Sequence, residues 1–392
     1  MMKKKLYSPP FCNIITALIT LITLTVSCRE DEDVIQPTSD ETGEKTLTDY
    51  IGMYVLCEGN MGSNKATLDY LDLHTGTYLK NIFPSRNPQQ VMELGDVGND
   101  AKIYGERLWL VINSSNKVEV CQASDARSLG HVDIPNCRFL AFDNGYAYVS
   151  SYVGTTNGAS VRGSVYKVDT LSLQVVGRVD VGFQPEEMAI VGNKLYVANS
   201  GGYEALQGRS YDRTVSVVDL GHFTEECRID VAPNLFRLRA DNHGQLWVSS
   251  RGDYTEQNPS RLYLLTINAK GVVEKHDSID VPVSDMAFRG DSLCFVGTTY
   301  DSHWNTTTTF GIINCQSHSL LPAKLVNDGS QIETAYGLMV HPHTGDVYVF
   351  DATNYVSSGW LFCFGADGNF KWKTSTGDIP GHACFLQRTT YQ

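Results

Sequence analysis

The stretch Met188-Ala-Ile-Val-Gly-Asn-Lys-Leu-Tyr-Val-Ala-Asn-Ser200 contains two apolar segments joined at Gly192. Met188 to Ile190 is a short apolar run, and Leu195-Tyr-Val197 is a second that ends in small and polar residues. A turn this tight needs positive φ, which glycine adopts without a Cβ clash. The stretch therefore reads as a β-hairpin.

The same unit recurs along the chain. Short apolar segments stand at Ile103-Tyr104, Phe139 to Phe142, Leu238 to Ala240, Met286 to Phe288 and Leu338 to Val340. Their turn glycines are Gly105, Gly145, Gly244, Gly290 and Gly345. Second strands follow at Leu108-Trp-Leu-Val111, Ala147-Tyr-Val149, Leu246-Trp-Val248, Leu293-Cys-Phe-Val296 and Val347-Tyr-Val349, and Tyr54-Val-Leu-Cys57 heads the series. Third strands follow every copy, as at Thr67 to Leu73 and Thr214 to Val218, with fourth strands such as Val175 to Val181 and Cys227 to Val231. Seven copies at a spacing of roughly 40 to 55 residues match the period of a four-stranded propeller blade.

The first copy lacks an inner strand, and the last is followed by a surplus one, Ala383-Cys-Phe-Leu386. Lending the surplus to the first copy closes the ring and removes two exposed sheet edges. The expectation is an all-β, seven-bladed β-propeller with four-stranded antiparallel blades, its C-terminal strand closing blade 1. The rival of two stacked sandwiches gives no reason for one period repeated seven times. No segment of the body has helical periodicity.

Residues 1–27 read as a bacterial lipoprotein signal, residues 28–49 as an acidic disordered tether, and residues 50–392 as the propeller. Lys3, Lys4 and Lys5 precede an apolar run from Phe11 to Val26 that ends at Ser27-Cys28, making Cys28 the expected lipidated residue. An ordinary cleaved signal or a membrane-anchoring helix are the alternatives. Arg29-Glu30-Asp31-Glu32-Asp33 opens the tether; it is either a solvated linker or resembles the acidic signal that directs lipoproteins of Bacteroides-type bacteria to the outer cell surface. Lipid-anchored localisation at the outer membrane and cell surface is expected.

The net charge of -13 argues against nucleic acid as a partner, which needs a basic footprint. The body cysteines, Cys57, Cys121, Cys137, Cys227, Cys294, Cys315, Cys363 and Cys384, form no CxxC pair and read as buried thiols. Cys294 and Cys315 flank one hairpin loop nearly symmetrically and form the one disulfide candidate.

In a propeller, the second-to-third-strand loops and the crossovers into the next blade open on one face. The former are long here: 152–162, 200–213, 251–260, 300–308 and 353–359. They carry Tyr152, Tyr203, Tyr211, Arg251, Tyr254, Tyr300, His303, Trp304 and Tyr355. Tyr and Trp give large contact area for little rotamer entropy, as binding surfaces require. Their alternative role is packing between blades. The crossovers add Asn99, Asn136, Arg138, Gln184, Asn234 and Asp285. There is no G-x-S-x-G, H-E-x-x-H, phosphate loop or EF-hand. His341-Pro342-His343 suits a turn better than a metal pair, so no catalytic residue, metal ligand or cofactor is expected.

Glu186 to Ile190 with Gly192 to Ser200 and Thr214-Val-Ser-Val-Val-Asp219 resembles the YncE-like propeller repeat, from about Tyr54 to the C-terminus. The leader, the acidic tether, the opening Tyr54-Val-Leu-Cys-Glu-Gly-Asn60 and the aromatic face resemble the BtuG group of Bacteroides-type surface lipoproteins. That resemblance implies binding of cobalamin (vitamin B12) or a related corrinoid, and transfer to a TonB-dependent outer-membrane transporter of the BtuB kind. A glycan-binding or protein-scaffold propeller is the alternative, and a lyase or lactonase at the central channel a third.

Overall fold

The computed structural model describes residues 46–90, 93–153, 161–268, 272–300 and 306–391, with no side chains for 46–48, 274–276, 300 and 389–391. Tyr50–Gln387 form one compact unit, and the described residues 46–49 and 388–391 fall outside it. The described chain is a seven-bladed β-propeller of four-stranded antiparallel sheets. Inner strands of blades 2 to 7 are Gly98–Tyr104, Cys137–Asp143, Pro185–Val191, Leu235–Ala240, Asp285–Arg289 and Ala335–Val340. Blade 1 takes its inner strand from the chain's end: Pro380–Tyr391 lies beside Thr46–Cys57, which pairs with Thr67–Asp72. That closure is the one expected from the surplus apolar segment.

Apolar side chains pack between neighbouring blades. Trp109, Val111 and Val120 of blade 2 pack with Leu140, Ala147 and Val149 of blade 3, all fully buried. Inner strands are sheet edges, and an unpaired buried N–H there is costly. Carboxylates from the preceding blade answer three of these groups: Leu140 N–H donates to Asp100 Oδ2 at 2.9 Å, Leu238 N–H to Glu187 Oε2 at 3.0 Å and Leu338 N–H to Asp285 Oδ2 at 2.8 Å.

Several details differ from the sequence reading. Strand begins at Thr46, inside the span assigned to the tether. Among the described residues two five-residue helices occur, α1 at Ile82–Arg86 and α2 at Gly202–Leu206, both too short to carry a period. In blade 6 the span expected as a loop from 300 to 308 is partly strand, because the β-branched run Thr306 to Thr309 extends the hairpin until Tyr300 opposes Thr306. Cys294 and Cys315 are free thiols, so the disulfide candidate is overturned. Cys294 opposes Ile312, and Cys315 N–H bonds to Asp291 O. That register slips the two cysteines three positions apart, roughly 10 Å along the strands and beyond disulfide reach. Cys227 is exposed, on the outer strand Thr224–Asp230.

Candidate functional site

One local device places the face that carries the predicted residues. Asn136, Gln184 and Asn234 each precede an inner strand with left-handed backbone, φ 46°, 45° and 58°. Their carbonyls accept the N–H groups of Tyr152 at 3.1 Å, Ser200 at 3.0 Å and Arg251 at 3.0 Å, the residues just past the second strands. Each bond fixes where a long loop leaves its blade. Short polar side chains tolerate this backbone better than branched ones, which accounts for the two asparagines. The side chains of Gln184 and Asn234 are buried, and Gln184 Oε1 meets no donor among the described residues.

A second device re-aims the inner strands. Register shifts fall between Gly98 and Asp100, Cys137 and Leu140, Pro185 and Met188, Leu235 and Leu238, and Ala335 and Gly337. Bulges turn side chains off the regular alternation. The residues within them, Asn99, Arg138, Phe139, Glu186, Phe236, Arg237 and Tyr336, meet at the axis.

Phe139 of blade 3 lies 5.9 Å from the Phe236 ring of blade 5 and 6.3 Å from the His382 ring of blade 1. Only a side chain directed across the axis reaches both, and Phe139 is 1% exposed. It forms the floor of a bowl. Guanidinium groups alternate with the rings: Arg138 lies over Phe139 at 5.7 Å and Tyr152 at 4.8 Å, Arg237 over Phe139 at 5.4 Å and Phe236 at 4.6 Å, and Arg251 over Phe236 at 3.5 Å.

Carboxylates hold most of these cations. Arg138 donates to Glu186 Oε2 at 3.0 Å and to Asn99 Oδ1. Arg237 and Arg239 meet Asp285 Oδ1 at 3.1 and 2.9 Å, and Arg239 meets Glu187 at 3.1 Å. The Tyr152 hydroxyl donates to Glu186, and Tyr336 donates to Glu58 Oε1 at 2.9 Å. Burial pushes both phenols far up; the adjacent carboxylates add to the shift, so both remain proton donors. His382 Nε2 also meets Glu58 Oε1, at 3.1 Å.

Around the bowl, Tyr203 on α2 packs edge-on to Tyr152 at 5.3 Å, and Tyr355 edge-on to Tyr336 at 5.7 Å. Tyr211 is half-buried, and Tyr254 is 64% exposed with φ 62°. Asn113, Asn116, Asn136, Gln207 and Tyr203 help line an adjoining groove of about 520 Å³, beside Met61 and Leu206. His303, Trp304 and Cys28 lie outside the described residues, as does the side chain of Tyr300. The His341 ring is used in its own turn, Nδ1 accepting the N–H groups of His343 and Thr344. Phe139, Glu186, Phe236, Arg237, Tyr336, Glu58 and His382 escaped the sequence reading. Their only signal was position: just past the second strand of blade 1 for Glu58, and near the start of an inner strand for the others.

No family model and no curated protein sequence matches the chain. Solved structures do. Hydrazine synthase of Kuenenia stuttgartiensis aligns at 15% identity and TM-score 0.59, over 75% of this chain and 95% of that one. A quinonprotein alcohol dehydrogenase-like protein of Bacteroides thetaiotaomicron aligns at 11% and 0.59, over 86% and 79%. A putative 6-phosphogluconolactonase of Bacteroides fragilis aligns at 11% and 0.58, over 86% and 98%. At these identities the likeness is one of fold alone.

Proposed function

We propose that this chain is a lipid-anchored cell-surface protein that binds cobalamin or a related corrinoid, without making or breaking bonds, and passes it to a TonB-dependent outer-membrane transporter. The observation that carries the reading is the blind bowl: Phe139 is buried across the axis, and partly exposed Phe236, Tyr336 and Arg251 stand around it. A corrin is a broad plate fringed with amides. Such a ligand needs flat apolar area and neutral hydrogen-bonding groups at the rim. Tyr203, Tyr211, Tyr254 and Tyr355 supply ring area, while Asn113, Asn116 and Gln207 supply amides.

Calorimetric titration of the purified protein with cyanocobalamin tests the reading. Saturable heat and co-elution of red ligand are expected; absence of both overturns it. The amide-lined groove favours a second reading, a surface glycan-binding propeller, since saccharide hydroxyls pair with amides. Retention on immobilised oligosaccharide without corrinoid binding selects that one.

A further inference from the structure

Four guanidinium groups gather around the axis, and three of them are neutralised. Arg138 is paired with Glu186, and Arg237 and Arg239 share Asp285. Arg251 differs. Among the described residues its side chain makes neither a hydrogen bond nor an ion pair; it lies on the Phe236 ring, 3.5 Å from the centroid.

Its placement is nevertheless fixed at both ends. The backbone N–H donates to Asn234 O at 3.0 Å, and the ring takes one face of the guanidinium. Stacking of this kind leaves the N–H edge free to donate. The charge is felt at the hydroxyls of Tyr152, Tyr211 and Tyr336, on the loops or strands of blades 3, 4 and 7. Arg251 therefore faces the middle of the bowl while half-buried. A guanidinium held flat, partly removed from water and lacking a counter-charge is arranged for bidentate contact with an oxyanion.

We infer that Arg251 is a preformed receptor for one anionic group of the bound ligand, and that on a corrinoid this group is the phosphodiester of the nucleotide arm. The inference rests on the corrinoid reading above. It gives the bowl a preference for nucleotide-bearing corrinoids over those ending in an uncharged arm.

Cyanocobalamin, which carries the phosphodiester, and dicyanocobinamide, which lacks it, are the probes. Arg251→Met keeps an apolar side chain on Phe236 and removes the charge. Its affinity for cyanocobalamin is expected to fall about tenfold or more, while that for dicyanocobinamide stays within about twofold. Added salt weakens cyanocobalamin binding to the wild type and leaves the Met variant nearly unaffected. Arg251→Lys, which retains the charge, loses less than Arg251→Met and guards against a packing artefact. Equal losses for both ligands, or no loss for either, overturn the inference and leave the corrinoid reading standing. A wild type that binds neither probe overturns the reading itself.

Discussion

Arg138 of blade 3 meets Glu186 of blade 4 across the seam, Nη2 to Oε2 at 3.0 Å, with 18% and 2% of the two side chains exposed. Removing one member of so buried a pair strands the other's charge, which costs about 3 to 5 kcal/mol. Glu186→Ala is expected to lower unfolding free energy by that order in urea titration. The double replacement Arg138→Met with Glu186→Leu is expected to recover most of the loss. A single variant within about 0.5 kcal/mol of wild type would show that water reaches the pair.

Acid weakens the ring through Glu187. Burial alone would raise this carboxyl, but Arg239 and then Arg237, with the N–H of Leu238, hold it below its ordinary value of 4.5. The folded protein thus releases this proton at lower pH than the unfolded chain does. The stabilisation is complete above about pH 4.5 and is lost as pH falls through the depressed folded value. The stability gap between wild type and Glu187→Gln is expected to narrow between about pH 6 and about pH 3. A gap that widens on acidification contradicts this assignment.

Gly359 of blade 7 packs against Pro380, the first residue of the closing strand. A Cβ there would overlap Pro380 Cδ and stand 2.5 Å from the carbonyl oxygen of Asp351. Gly359→Ala is expected to destabilise by about 1 to 3 kcal/mol. Gly202→Ala, where the nearest atom would be 3.8 Å away, is the control and should melt like wild type.

Thiol chemistry separates one cysteine from its neighbours. Cys227 is exposed, whereas Cys294 and Cys315 are buried, and burial pushes their thiols up to about 11 and about 12. Alkylation of the native protein followed by peptide mapping is expected to modify Cys227 first and to reach Cys294 and Cys315 only after denaturation. Rapid native modification of Cys294 would contradict the packing described.

Tyr254 projects from the blade 5 loop. Tyr254→Ala is expected to weaken corrinoid capture by about 1 kcal/mol. Phe370, 52% exposed on the outer strand of blade 7, is the control whose loss should leave binding unchanged.

The sequence disclosed the ring because its evidence is repetitive. Glycine turns such as Gly192 and alternating strands such as Leu195-Tyr-Val197 recur whatever the blade contacts. The bowl was less legible. Tyr152 and Arg138 stood out as large polar groups on expected loops, yet the Tyr152 hydroxyl is taken by Glu186. Phe139 read as an ordinary inner-strand residue and Phe236 fell before the expected segment Leu238 to Ala240, since a bulge that turns a ring to the axis has no composition of its own. Cys227 illustrates the same limit: alternation in an outer strand does not say which face is covered.

Ring closure also imposes an order on biogenesis. The sheet begun by Thr46–Cys57 gains its inner member only when Pro380–Tyr391 has left the ribosome, so the earliest-made sheet is the last completed. Until then that sheet keeps an open inner edge, free to pair with another strand. A chain cut before Pro380 would leave that sheet without its inner strand.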